Sequence, residues 1–75
     1  MNYMIEIYST PDCRPCIQNK AWMDKNGVEY VTKDVTDPAV YEEYKQFGLT
    51  TVPVLKRGDD VWTGFNPVKL RELVA

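Results

Sequence analysis

Two proline-containing helix starts divide this chain into segments and limit the folds it can adopt. Asp37-Pro38 and Asn66-Pro67 each place a side chain that can cap a helix directly before a proline. Asp and Asn are favoured as capping residues, and proline is favoured in the first helical turn. We therefore predict helices that begin at these two points, the first of which ends at Gly48. A further helix is predicted from about Cys13 to Asn26.

Four short segments rich in β-branched and aromatic residues predict β-strands. They are Tyr3–Ser9, Val28–Val35, the VPVLK segment that begins at residue 52 and the VWT segment that begins at residue 61. The RGDD sequence between the last two is typical of a hairpin turn. The order is β-α-β-α-β-β-α, which predicts an α/β fold with a four-stranded mixed sheet flanked by helices. The first two strands should be parallel, with a right-handed crossover, and the last two antiparallel.

Two of the helices carry an apolar stripe that can pack against the sheet. The stripe residues are Val40, Tyr41, Tyr44 and Phe47 in the second helix and Leu70, Leu73 and Val74 in the last. The first helix is less regular, because Ile17, Ala21 and Met23 do not share one face and Trp22 points away from them.

The composition is that of one small globular domain, which we expect to span residues 1–75. A fold of 75 residues buries only about 60% of the surface of its unfolded chain. Hydrophobic residues make up 44% and charged residues 27% of the chain, an ordinary globular balance. The net charge of −2 and the scattered basic residues disfavour nucleic acid, whose binding depends on Lys and Arg neutralising phosphates.

The N-terminal segment lacks the basic start and the long apolar run of a signal peptide. No segment approaches the roughly 18 apolar residues that a membrane-spanning helix needs. We therefore predict a cytoplasmic protein that does not bind membranes, with a monomer as the default state. A reducing compartment disfavours a permanent structural disulfide and favours reactive or metal-binding cysteines.

The only two cysteines, Cys13 and Cys16, lie in the segment TPDCRPC. Residues three apart on a helix share a face, so the two sulfur atoms can approach each other. If the helix begins at Cys13, its sulfur meets unpaired N–H groups that favour an anion. Cys16 lies one turn inside the helix and should be more buried. Thiol–disulfide exchange needs this combination of an attacking thiolate and a second, resolving thiol.

We expect the pKa of the Cys13 thiol to lie below the usual value of about 8.5. A thiol that is half ionised at neutral pH needs about 2 kcal/mol of preferential stabilisation of the thiolate. A helix N-terminus typically supplies about 0.3–1 kcal/mol. We expect Arg14, or a hydrogen bond from the Cys16 thiol, to supply the remainder.

Three other interpretations of the pair are an inert coincidence, a structural disulfide and a metal site. Zinc sites generally take four Cys or His ligands, whereas this chain has two cysteines and no histidine. A metal ion or cluster would therefore have to lie between two chains. Redox chemistry is the best interpretation, with a redox-active Cys13–Cys16 disulfide and no bound cofactor or metal.

Taken together, the CRPC segment on a helix, the later TVP segment at residues 51–53 and the closing helix resemble the thioredoxin fold in its small glutaredoxin form. The segment WTGFNP at residues 62–67 is similar to the W-S-G-F-R-P of the NrdH-redoxins, which are glutaredoxin-like electron donors to ribonucleotide reductase. YSTPDC, which ends at Cys13, is similar to their Y-T-K-P-D-C. The resemblance covers essentially the whole chain.

The resemblance implies a role for several residues. Cys13 would be the nucleophile and Cys16 the resolving thiol. Pro53 would be a cis-proline near the pair, and Val52 would present its backbone to a substrate chain. The other predicted partner-binding residues are Arg14, Thr51, Trp62, Gly64 and Phe65. Core packing is an equal alternative for Trp62 and Phe65, and we expect Phe65 to be buried.

Two departures from the glutaredoxin pattern weaken the case for glutathione. Thr10 stands where glutaredoxins carry a basic residue, three positions before the first cysteine. Residues 63–66, Thr-Gly-Phe-Asn, replace the Gly-Gly turn and the nearby acidic residue. In addition, Pro15 directly precedes the second cysteine, as in thioredoxin, which favours a more reducing protein.

We therefore predict a dithiol oxidoreductase that receives electrons from NADPH through thioredoxin reductase and passes them to a disulfide-containing protein. Ribonucleotide reductase is the leading acceptor. The first alternative is a glutathione-dependent glutaredoxin, which the TVP segment favours, because NrdH-redoxins commonly have other residues before that proline. The second alternative is a protein that binds a metal or cluster between two chains.

Overall fold

The computed structural model describes residues 4–74, which form a sheet and its flanking helices. The strands are β1 (Ile5–Ser9), β2 (Tyr30–Asp34), β3 (Val54–Arg57) and β4 (Asp60–Thr63). The helices are α1 (Arg14–Lys25), α2 (Pro38–Tyr44), which a 3-10 turn (Lys45–Phe47) continues, and α3 (Pro67–Glu72). The predicted order β-α-β-α-β-β-α is confirmed. Tyr3, which was predicted to begin the first strand, lies outside the described residues.

The sheet has the strand order β2-β1-β3-β4. Strands β1 and β2 are parallel, with Ile5 opposite Tyr30. Strand β3 is antiparallel to both β1 and β4. The sheet is therefore mixed, and both the parallel crossover through a helix and the terminal hairpin are as the sequence predicts.

Local hydrogen bonds fix the predicted helix starts. Asp37 Oδ1 accepts the Ala39 N–H at 2.9 Å before α2. Asn66 Oδ1 accepts the N–H groups of Val68 and Lys69 at 3.1 and 3.3 Å before α3. The segment after α2 ends at Gly48, whose φ of 68° is in the left-handed region that favours glycine. Within the described part of the chain, no helix is long and apolar enough to cross a bilayer.

One face of the sheet, which we call the α1 face, is covered by α1 and α3. Its buried cluster consists of Ile5, Ile7, Met23, Leu55, Trp62 and Leu70. Trp22 packs against this cluster, so the expectation that it points away is wrong. The inward residues of α1 are Cys16, Asn19 and Met23, and Trp22 flanks this row. Val74 is half exposed, because α3 ends before it at Glu72.

The opposite face, the α2 face, is covered by α2 and the segment that follows it. Its buried cluster is Tyr8, Tyr44 and Val54, flanked by Val35, Val40, Phe47, Leu49 and Val52. Tyr41, which was predicted to be part of the α2 stripe, is 51% exposed. The short helix covers only part of the face. Beyond it, two ion pairs lie on this face: Lys33 Nζ is 3.0 Å from Glu6 Oε1, and Lys56 Nζ is 3.5 Å from Glu6 Oε2.

Candidate functional site

Three chain segments of the candidate site meet at one edge of the sheet. The carboxyl end of β1 leads to Cys13, and Tyr8 near that end pairs with Val54, the first residue of β3. Val54 also pairs with Thr63, the last residue of β4. The turn before Cys13, the Pro53 segment before β3 and the Gly64 segment after β4 therefore lie side by side.

Cys13 and Cys16 are joined by a disulfide, and their Cα atoms are 5.2 Å apart. Cys13 is the N-cap of α1 with an extended backbone, and Cys16 lies in the first turn. The helix therefore begins at Arg14, one residue later than predicted, because Cys13 itself caps it. Cys16 is 1% exposed and Cys13 is 8% exposed, so the predicted difference in burial is confirmed.

The sulfur of Cys13 accepts a hydrogen bond from the backbone of its own helix. The Cys16 N–H lies 3.2 Å from Cys13 Sγ. Pro15 has no N–H to offer, and the Ile17 N–H donates to the Cys13 carbonyl at 3.1 Å. In the reduced protein the Cys16 N–H is therefore placed to stabilise a thiolate at Cys13. Arg14, the first residue of α1, is exposed to solvent.

The segment before β3 contains the cis peptide bond that the resemblance implies, between Val52 and Pro53. Pro53 is fully buried, Val52 is half-buried and Thr51 is exposed. The Tyr44 hydroxyl donates a hydrogen bond of 2.7 Å to the Thr51 carbonyl. Helix α2 therefore holds this segment from the opposite face of the sheet.

The segment after β4 turns out of the sheet at Gly64, which has a φ of 72°. Trp62 is 7% exposed and belongs to the α1-face cluster, and the Lys69 Nζ lies 5.6 Å from its ring centroid. Phe65 is 39% exposed, so the expectation that it is buried is wrong. The left-handed turn at Gly64 takes Phe65 out of the strand alternation and into the loop before α3.

Asn19 was not identified from the sequence, and it joins these segments. Its side chain is completely buried, and Nδ2 donates to the Pro15 carbonyl at 2.7 Å and the Gly64 carbonyl at 3.3 Å. The Gly64 N–H in turn donates to the Pro53 carbonyl at 3.1 Å. A continuous set of hydrogen bonds therefore links α1, Gly64 and the cis-proline. The sequence contains one signal of this burial, because Asn19 follows Cys16 by three residues and therefore lies on the same face of α1. A search for apolar patterns does not detect a buried amide.

A cavity of about 120 Å³ opens beside Cys16, where β1 and β2 end. Its lining residues are Ser9, Thr10, Pro11, Cys16, Ile17, Lys20, Thr32 and Asp34. Hydrogen bonds from the Thr36 hydroxyl and backbone N–H lower the pKa of the Asp34 carboxyl, and Lys20 lowers it further. Thr10, which the family resemblance aligns with a basic residue of glutaredoxins, lines this cavity. The cavity therefore has charged and hydroxyl groups around the buried member of the cysteine pair.

Metal coordination needs several ligands in one place. Among residues 4–74, no group of three or more Cys, His, Asp or Glu side chains is arranged to hold a metal ion.

The chain is similar to known proteins over most of its length. A glutaredoxin family model matches residues 5–62. The gene 56 protein of Mycobacterium phage D29 is 37% identical over 73 residues, which cover 93% of this chain and 81% of that protein. The glutaredoxin-like protein NrdH of Escherichia coli K12 is 31% identical over 70 residues, which cover 92% of this chain and 86% of that protein.

A solved structure extends this similarity to the fold. The NrdH-redoxin from Escherichia coli, described as having a thioredoxin-like activity profile, matches with a TM-score of 0.84 and 31% identity over 93% of both chains. The thioredoxin-like fold expected from the sequence is thereby confirmed. The chain belongs to the glutaredoxin family, in an NrdH-like form, and is a thiol–disulfide oxidoreductase that carries the redox-active disulfide Cys13–Cys16.

Proposed function

We propose that Cys13 is the attacking thiol and Cys16 the resolving thiol of this oxidoreductase. The observation that carries this proposal is the position of Cys13 at the N-cap, where its sulfur accepts the Cys16 N–H. The Cys13 thiolate attacks one sulfur of a partner disulfide and forms a mixed disulfide, and the other partner sulfur leaves as a thiolate. Cys16 then loses its proton and attacks the sulfur of Cys13. The second partner sulfur leaves with the bonding electron pair and takes up a proton.

The exposed part of the site fits a partner polypeptide. Thr51 is exposed and Val52 half-buried beside the cis-proline, so this segment lies at the surface, where an extended partner chain can approach it. Phe65 and Arg14 add an exposed aromatic ring and an exposed cation. Gly64 and the buried Trp62 would act mainly by setting the position of Phe65.

The electron donor that we propose is thioredoxin reductase, with NADPH as the ultimate source, and the acceptor is ribonucleotide reductase. The relatives named NrdH and the described thioredoxin-like activity of one of them support this choice. So does Thr10, a neutral residue that lines a cavity where a glutaredoxin carries a basic group for glutathione. We propose that this exchange takes place in the cytoplasm.

A glutathione-dependent glutaredoxin is the second candidate, and one observation favours it. The TVP segment is present at residues 51–53, where NrdH-redoxins commonly have other residues before the proline. This candidate keeps the cysteine chemistry and changes only the donor.

NADPH consumption separates the two candidates. The oxidised protein is offered to thioredoxin reductase in one reaction and to glutathione plus glutathione reductase in another, with a disulfide-containing protein as the final acceptor in both. We expect rapid turnover with thioredoxin reductase and little with glutathione. Turnover with glutathione alone would make the protein a glutaredoxin in function. A Thr10→Lys variant sharpens the test, because restoring the basic residue should raise the rate with glutathione.

A further inference from the structure

Asn19 has a buried acceptor that the oxidised protein does not use. Its Oδ1 is shielded from solvent and accepts no hydrogen bond from any described residue. A buried polar atom without a partner is costly, and most such atoms in folded proteins are paired. The whole side chain is 0% exposed. In the disulfide form, therefore, the Asn19 amide oxygen lacks a hydrogen-bond donor.

The orientation of the amide is fixed by its other end. Nδ2 donates to two carbonyl oxygens, at 2.7 Å to Pro15 and at 3.3 Å to Gly64. Turning the amide over would place Oδ1 against both carbonyls, where no hydrogen bond can form. The unpartnered atom is therefore the oxygen, and what it lacks is a donor.

Reduction of the disulfide creates new donors at one place only. The S–S bond takes up two electrons and two protons and becomes two thiols. Cys16 precedes Asn19 by three residues, which puts the two side chains on the same face of α1, and both are buried. Cys13 lies outside the helix as its N-cap, with an extended backbone, and is one turn further from Asn19 than Cys16 is. Of the two new S–H groups, only that of Cys16 belongs to the buried row of α1 that contains Asn19.

We propose that Asn19 is a positioning residue of the redox pair, whose Oδ1 accepts a hydrogen bond from the Cys16 S–H in the dithiol form. The bond is absent in the disulfide form, because the Cys16 sulfur then carries no proton. It therefore stabilises the reduced protein relative to the oxidised protein. The link to Gly64 ties this contact to the segment that carries Phe65.

The hydrogen bond also affects the order of attack, and this consequence rests on the roles proposed above. A bond to the neutral thiol opposes its ionisation, so Cys16 stays protonated while Cys13 is the thiolate. When a mixed disulfide forms at Cys13, Cys16 releases its proton, and the departing partner thiolate takes one up. Asn19 thus keeps the Cys16 thiol protonated until the mixed disulfide has formed.

The reduction potential of Asn19→Leu, measured by equilibration with a reference dithiol, tests the contact without an activity assay. The bonds to Pro15 and Gly64 involve backbone carbonyls that carry no redox change, so their loss largely cancels between the two forms. Loss of the Cys16 contact should shift the equilibrium about fivefold towards the disulfide, which corresponds to a potential about 20 mV more negative. Gln18→Leu, at the neighbouring exposed position of α1, is the matched control and should leave the equilibrium unchanged. An Asn19→Leu equilibrium equal to that of the control overturns the proposal.

An infrared measurement on Cys13→Ser, in which Asn19 is intact, does not depend on the stability of the Asn19 variant. In Cys13→Ser the only thiol is Cys16, and its S–H stretching band should lie at the lower frequency of a hydrogen-bonded thiol. Adding Asn19→Leu should move the band to the free-thiol position. A band at the free-thiol position in Cys13→Ser itself would contradict the contact, for example because the unpartnered Trp62 Nε1 pairs with Oδ1 instead. Neither measurement depends on the identity of the reductase, so the proposed function can fail separately.

Discussion

The two faces of the sheet hold the segments of the candidate site through different kinds of contact. On the α1 face, the cysteine-bearing helix is held by fully buried aliphatic side chains, among them Ile7, Met23 and Leu55 at 0% exposure. On the α2 face, Tyr8 and Tyr44 pack through their rings, and the Tyr44 hydroxyl reaches across to the Thr51 carbonyl. The first face holds the cysteine-bearing helix mainly by apolar burial, and the second adds a hydrogen bond to the cis-proline segment, which the Gly64 N–H also holds through the Pro53 carbonyl.

This difference separates stability from partner binding. Apolar burial supplies most of the folding free energy of a small domain and is insensitive to polar detail. A single hydrogen bond contributes less, but it fixes the position of one backbone segment. We therefore expect changes to the apolar side chains of the α1 face to act mainly on stability, and changes at the Tyr44 contact to act on the use of protein substrates.

Met23→Ala should give the largest effect, because it removes a fully buried side chain between α1 and the sheet. Large-to-small changes of this kind cost about 2–5 kcal/mol of the free energy of unfolding. Urea unfolding of the oxidised protein measures the loss. Ile17→Ala on the same helix is the control, since Ile17 is 58% exposed, and it should change the value by no more than about 0.5 kcal/mol. Equal losses at the two positions would show that α1 is not anchored through its inner face.

Tyr44→Phe keeps the ring in the α2-face cluster and removes only the hydroxyl that bonds to Thr51. The loss of this bond should cost about 1 kcal/mol. Because the carbonyl belongs to the segment before Pro53, we also expect a higher KM for a protein disulfide. Steady-state kinetics and urea unfolding measure the two effects. Tyr41→Phe is the matched control at a half-exposed ring. A KM that is unchanged in Tyr44→Phe would mean that the α2 face does not position the substrate segment.

Glu6→Gln should give the smallest effect, and one that depends on pH. A hydrogen bond from Lys33 is the main cause of the lowered pKa of Glu6, whose ordinary value is about 4.5. A lowered folded-state pKa contributes stability above the ordinary value and loses it as the pH falls through the folded value. The Glu6 side chain is about a quarter exposed, so solvent reduces the contribution to a few tenths of a kcal/mol.

Urea unfolding at neutral pH and at about pH 3 checks this pH dependence. The difference in unfolding free energy between wild type and Glu6→Gln should be largest at neutral pH and should shrink in acid. Glu29→Gln, at an exposed position without an ion-pair partner among residues 4–74, is the control for the loss of one carboxylate. A difference in unfolding free energy that grows in acid would mean that folding raises the pKa of Glu6 and does not lower it.

Local rules were sufficient for the features that depend on neighbours in sequence. The caps at Asp37 and Asn66, the terminal hairpin and the unequal burial of Cys13 and Cys16 follow from turn, cap and helix spacing. The sequence predicts a cis-proline at Pro53 only through the family resemblance, because a trans bond is the usual state.

The remaining features depend on contacts between distant segments. Phe65 is exposed because Gly64 turns the chain out of the sheet. Tyr41 is exposed because it lies beside the row of α2 that faces the sheet, which Val40 and Tyr44 occupy. The burial of Asn19 depends on a hydrogen bond from its Nδ2 to the Gly64 carbonyl, 45 residues away in sequence. None of these contacts is visible from hydrophobic periodicity, which detects apolar faces and not buried polar groups.

The central claim is that Cys13 attacks and Cys16 resolves, and trapping tests it most directly. Reduced Cys16→Ser and reduced Cys13→Ser are each mixed with a disulfide-containing protein, quenched with acid and examined by intact mass. The account predicts that Cys16→Ser accumulates a mixed disulfide with the substrate and fails to release the fully reduced product, whereas Cys13→Ser accumulates little adduct. Accumulation of the adduct on Cys13→Ser instead, or full substrate reduction by Cys16→Ser at the wild-type rate, would contradict it.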